Sequence, residues 1–120
     1  MFLAVLKKDI LDFVNIEGTL DEYYNLIECD CIDIVTRRIG DTYFDIICDD
    51  EGLLKDSPRV SAIDVNGNPM LVGNLIFSHT NDEGETIGIT GDDISVIMDA
   101  INIVYTDDDD IIGLAVKLDY

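Results

Sequence analysis

The sequence predicts an α+β protein: a single domain with a mostly antiparallel β-sheet and two short α-helices. Three observations predict it. The stretches on either side of Gly40 alternate apolar and polar residues, as strands with one covered face do. Two other segments carry a hydroxyl N-cap residue followed by apolar residues at i, i+3, i+4 and i+7, the pattern of an amphipathic helix. An Asn66-Gly67 pair stands between apolar segments, and Asn-Gly marks a β-hairpin because both residues tolerate positive φ. The chain has 120 residues, 48% of them hydrophobic, enough to bury one core.

Taken in order, Phe2–Lys7 reads as a first strand and Asp12–Gly18 as a second, with Lys8 and Asp9 in the turn between them. Thr19 and Glu22 then have capping-box spacing, in which a hydroxyl and a carboxylate satisfy the free backbone donors of a helix start. Leu20, Tyr23, Tyr24 and Ile27 form the apolar face of that helix. In "DCIDIVTRRI", Ile32 and Ile34 point one way while Cys31, Asp33 and Val35 point the other. In "TYFDIICDD", Phe44, Ile46 and Cys48 share a face, and Ile39–Asp41 supplies a hairpin turn. Asp49–Pro58 is a polar loop around Gly52. Leu71–Phe77 is almost wholly apolar and predicts one central, well-buried strand. Thr80–Glu85 is a turn, and "TIGI" a short strand. Thr90 caps a second helix, with Asp92 and Asp93 at the positive end of its dipole and Ile94, Ile97, Met98 and Ile101 on its apolar face. "NIVYT" and "IIGLAVKL" read as two final strands, and the run Asp107–Asp110 sits at their hairpin turn. Charges there keep the strands from adhering to other sheets.

Charge is the dominant compositional feature. There are 26 acidic residues against 7 basic ones, a formal charge of −19. A chain this acidic repels nucleic acid and anionic membranes, and it could attract a basic protein surface or divalent cations. No apolar run approaches the roughly 20 residues of a membrane span. The lysines of "MFLAVLKKDI" follow the apolar residues, the reverse of a signal peptide, so the expected location is cytoplasmic. Three cysteines, Cys29, Cys31 and Cys48, form an odd set that fits free thiols in a reducing compartment.

The motifs of common chemistries fail on inspection. "DVNGNP" begins like a calcium loop with Asp64, Asn66 and Asn68, but the sixth position is Pro69 rather than Gly and the twelfth is Leu75 rather than Glu. Cys29, Cys31, Cys48 and His79 equal the number of zinc ligands. However, C-x-C is not the usual spacing. If both isoleucine sets line one core, strand alternation also sets Cys31 and Cys48 on opposite faces. His79 is the only histidine and has no nucleophile motif around it. No cofactor is implied.

"FDIICDDEGLLKDSPRVSAIDVNGNPMLVGNLIFSH", followed by an acidic Gly turn and "GITGDDI", resembles a bacterial family of small domains of unknown function, number 3846. The resemblance runs from about Phe2 to Met98, with "ICDDEGLLK" and "GNLIFSH" its most specific parts, and the tail from Asn102 matches less clearly. It implies a cytoplasmic protein of the kind carried by Firmicute chromosomes, plasmids and phage-like elements. It supplies no assigned activity and no catalytic residue. It makes Gly52, Asn66-Gly67 and Thr90 structural signatures.

The leading expectation is a non-enzymatic interaction protein. Its acidic surface, from Asp107, Asp108, Asp109 and Asp110 and from Asp49, Asp50 and Glu51, would bind a basic protein partner, in the sharpest version by imitating a nucleic acid backbone. One alternative is a small-molecule or enzymatic site in a pocket near His79 or Cys31. The other is a homodimer formed through a sheet edge, with the last strands as candidates.

Overall fold

Polar turns set the first strands. Phe2–Leu6 (β1) and Leu11–Asn15 (β2) pair antiparallel, from Phe2↔Asn15 to Leu6↔Leu11. The computed structural model describes residues 1–51, 59–105 and 111–119. Helix α1 (Leu20–Ile27) begins at the expected capping box. The Thr19 hydroxyl accepts from the Glu22 amide at 3.3 Å, and the Glu22 carboxylate accepts from the Thr19 amide at 2.9 Å. Glu28 ends the helix in the left-handed region, at φ +63°, with its amide bonded to the Tyr24 carbonyl. Tyr23 and Ile27 are buried, whereas Leu20 is 58% exposed, so the apolar face is narrower than its spacing predicted.

Ile32–Ile39 (β3) and Thr42–Asp49 (β4) form the predicted hairpin across Gly40 and Asp41. The Asn66-Gly67 hairpin joins Val60–Ile63 (β5) to Pro69–Val72 (β6). Only Gly67 has positive φ there, at +81°. The turn is organised by the Asp64 carboxylate, which accepts from the Asn66 and Asn68 amides at 2.8 Å each. The apolar run Leu71–Phe77 is not one strand. It breaks at Gly73 (φ +75°) and Asn74, and its second half belongs to Leu75–Thr80 (β7), in a different sheet. A positive φ cannot continue a strand, so glycine permits the chain to change sheets here.

Thr86–Ile87 (β8) pairs with the end of β7. Helix α2 (Gly91–Asp99) follows, then Ile101–Tyr105 (β9) and Ile111–Lys117 (β10). The apolar face of α2 differs from its prediction: Met98 is 59% exposed, Ile101 starts β9, and Asp93 is buried beside Ile97.

The strands form two sheets. The first has the order β2-β1-β7-β4-β3, with β8 beside β7, and the second β6-β5-β10-β9. All pairs are antiparallel except β5 with β10. The main core lies between the sheets, where Phe44, Ile46, Leu75 and Phe77 meet Ala62, Val116, Leu118 and Ile97 of α2. A second core, with Leu3, Val5, Ile47 and Ile76, is covered by Tyr23 and Ile27 of α1. Both faces of the central strands are therefore buried, which is why Ile46 and Ile47 are each fully covered. The condition under which Cys31 and Cys48 would lie on opposite faces, that both isoleucine sets of β3 and β4 line one core, is not met. Val35 and Ile46 face the inter-sheet core, Ile32 and Ile47 the helix side.

Candidate functional site

Asp49, Asp50 and Glu51 close the open end of the β3–β4 hairpin. Pairing sets Ile32 opposite Asp49 and Asp33 opposite Cys48, and the Asp50 amide donates to the Cys31 carbonyl at 3.1 Å. Asp30 and Asp33, which precede and begin β3, are therefore brought to the same place. Asp30, Asp33, Asp50 and Glu51 are exposed, and Asp49 is half-buried. The Cys48 thiol registers their field. Burial chiefly, and then the charges of Asp33, Asp49 and Asp50 against the opposing pull of Arg37, push it up to about 11.

The run Asp107–Asp110 lies outside the described residues, as does Gly52. Tyr105 pairs with Ile111, and the Leu114 amide donates to the Lys8 carbonyl at 2.7 Å, in the β1–β2 turn. By the pairings Leu6↔Leu75 and Ile47↔Ile76, that turn and the carboxylates at Asp49 are at one end of the first sheet. Basic residues stand between them. Lys7 lines a recess of about 170 Å³ with Asn74 and Glu28, and Arg59 Nη2 donates to Asn74 Oδ1 at 3.0 Å. Burial lowers the Arg59 guanidinium from its ordinary value, against the nearby charges of Asp9 and Glu28.

His79 and Cys31 are not neighbours. By the β4–β7 register His79 is level with Phe44, and Cys31 is level with Asp50, a separation of roughly 20 Å along an extended strand. His79 has a different partner that sequence reading missed. Its Nε2 is 2.9 Å from Asp93 Oδ2, and its ring stacks on Phe44 with centroids 5.0 Å apart. The same carboxylate oxygen accepts from the Thr90 amide at 2.8 Å, and the Thr90 hydroxyl accepts from the Asp93 amide. An ionised carboxylate only accepts, so His79 donates through Nε2–H. Burial alone would raise the Asp93 carboxyl. The Thr90 amide and the His79 hydrogen bond and charge together outweigh it and hold the group below its ordinary value. The dyad thus ties the start of α2 to the end of β7. The Thr90-x-x-Asp93 spacing was the available signal for half of it.

A groove of about 440 Å³ lies at the other end of α2, lined by Ile39, Val96, Asp99, Asn102, Lys117 and Asp119. Neither recess includes His79 or Cys31. Among the described residues no three His, Cys, Asp or Glu are grouped to hold a metal ion, and no helix is long and apolar enough to cross a membrane.

Two packed sheets with two capped helices and carboxylates gathered at a hairpin mouth define this as an acidic α+β domain. The chain belongs to the family described as Domain of unknown function (DUF3846), whose model matches residues 3–112. The match continues past Met98 through β9 and into β10, further than the resemblance in sequence suggested. No curated protein and no solved structure matches the chain.

Proposed function

We propose that this protein is a non-enzymatic interaction domain whose acidic surface binds a basic protein partner, in the manner of a nucleic acid mimic. The observation that carries this reading is the gathering of Asp30, Asp33, Asp49, Asp50 and Glu51 at the mouth of the β3–β4 hairpin. The paired ends of β3 and β4 concentrate these carboxylates in one place, as a phosphate backbone concentrates its charges. A cationic cleft that binds such an array releases counterions, so binding weakens steeply with salt. A bacterial or mobile-element origin with a cytoplasmic setting accords with this role.

The test is capture from a bacterial lysate on immobilised protein at low and at high salt. A variant with Asp30, Asp49 and Asp50 changed to Asn and Glu51 to Gln serves as the comparison. The expected result is a salt-eluted set of basic proteins that the variant fails to retain. A captured set no more basic than the lysate, or one the variant retains equally, overturns the reading.

A further inference from the structure

Strand β3 is the outermost strand of its sheet among the described residues. The Asp50 amide to Cys31 carbonyl bond shows that odd-numbered positions here direct their backbone groups toward β4. Ile32, Ile34, Thr36 and Arg38 therefore direct theirs outward. Three of these outward groups are occupied from within the chain. Asp33 Oδ1 accepts from the Ile34 amide at 2.9 Å, Arg37 Nη1 donates to the Thr36 carbonyl at 2.8 Å, and the Asp119 amide donates to the Arg38 carbonyl at 2.8 Å. Arg37 Nε is buried without a partner, and Ile34 is 49% exposed.

We propose that two copies of this chain associate antiparallel through β3, with Val35 on the two-fold axis and Asp33 of each copy facing Arg37 of the other. The surface borders the acidic hairpin mouth and shares Asp33 with it, but the proposal does not depend on that reading of function. A two-fold axis perpendicular to the sheet preserves its faces, so only positions of like parity can stand opposite each other. Centring on Val35 is the register that sets Asp33 against Arg37, twice. It also sets Ile34 opposite Thr36. The Ile34 amide and Thr36 carbonyl, now held by Asp33 and Arg37, would then bond across the interface, as would the Thr36 amide and Ile34 carbonyl. The displaced carboxylate and guanidinium become each other's partners, and Arg37 Nε gains an acceptor. The two Ile34 side chains lie diagonally across the axis, within reach of each other. Two of the chain's seven basic residues are in this strand, which offsets part of the repulsion between copies of a chain with charge −19. Asp119 on the Arg38 carbonyl limits the pairing to the stretch from Asp33 to Arg37.

Sedimentation equilibrium over a concentration series tests the proposal, with each variant's fold checked by circular dichroism and melting. Wild type is expected to dimerise. D33R sets Arg against Arg37 twice and should weaken the dimer about tenfold or more, and R37D should do the same with Asp against Asp33. Mixing the two single variants should yield a heterodimer, and the exchange D33R/R37D should restore the homodimer. Thr36→Pro removes an outward amide that the monomer does not need, so it should leave a folded monomer. A wild type that stays monomeric overturns the proposal and leaves Asp33 and Arg37 as seals on the edge of a monomer. A dimer indifferent to D33R and to Thr36→Pro overturns it equally, because another surface then carries the contact.

Discussion

Asp93→Ala tests the link between α2 and the first sheet. The carboxylate accepts from the Thr90 amide at 2.8 Å and from His79 Nε2 at 2.9 Å, and its side chain is only 12% exposed. Loss of an N-terminal cap contact costs about 0.5–2 kcal/mol. The hydrogen bond from His79 adds about 1 kcal/mol. Together they give about 1.5–3 kcal/mol at neutral pH, which in a domain of this size lowers Tm by roughly 6–12 °C. Because the Asp93 carboxyl is held below its ordinary value near 3.8, its contribution is complete above that value. It disappears as pH falls through the lower, folded-state value. Urea unfolding of both proteins from pH 5 downward should therefore show a gap that narrows below about pH 4, as protons bind the Asp93 carboxylate. A gap under about 0.5 kcal/mol at pH 7 would place Asp93 among ordinary surface residues and refute the account. So would a gap that does not narrow in acid.

Two further outcomes follow from backbone geometry and burial. Gly113 has φ +152°, and a Cβ there would lie 2.3 Å from the Lys8 carbonyl oxygen, which already accepts from the Leu114 amide. Gly113→Ala should cost on the order of 3 kcal/mol in urea unfolding, whereas Gly84→Ala, at φ +81° with open space around it, should cost about 1 kcal/mol. Equal effects would remove the close approach of β10 to the β1–β2 turn as the cause. With its thiol pushed up to about 11 and buried, Cys48 should resist a thiol reagent at pH 8 until denaturant is added, while exposed Cys31 reacts at once. Rapid native labelling that survives Cys31→Ser and disappears in Cys48→Ser would contradict the placement of Cys48.

Local chemistry was legible wherever it was self-contained. The Thr19/Glu22 box, the Thr90 cap, the turn at Gly40 and the hairpin at Gly67 each involve residues a few positions apart, and each formed where the sequence set it. Periodicity misled where two covering layers compete for one strand. Alternation assumes one wet face, but α1 covers the side of Ile47 and the second sheet covers the side of Ile46. The run from Leu71 to Phe77 looked continuous because hydrophobicity does not record a change of sheet. Gly73 and Asn74 were the available marks of the break. Asn74 is held by contacts to Leu26, Glu28 and Arg59 that are distant in sequence.

The candidate sites divide in the same way. Asp49, Asp50 and Glu51 are neighbours in the chain, so their common position needed no fold, but the arrival of Asp30 and Asp33 beside them did. The pairing of His79 with Asp93 was decided by the packing of a helix start against a strand end. By itself, then, the sequence determined the α+β class, the two helix starts, the hairpins and the acidity, because propensity, capping and net charge are properties of short segments or of the whole composition. Only the tertiary structure decided the division into two sheets, the burial of both faces of β4, the separation of His79 from Cys31, and the position of β3 as the outermost strand of its sheet among the described residues. Those depend on which surfaces meet, and many combinations of the same segments satisfy the local rules equally well.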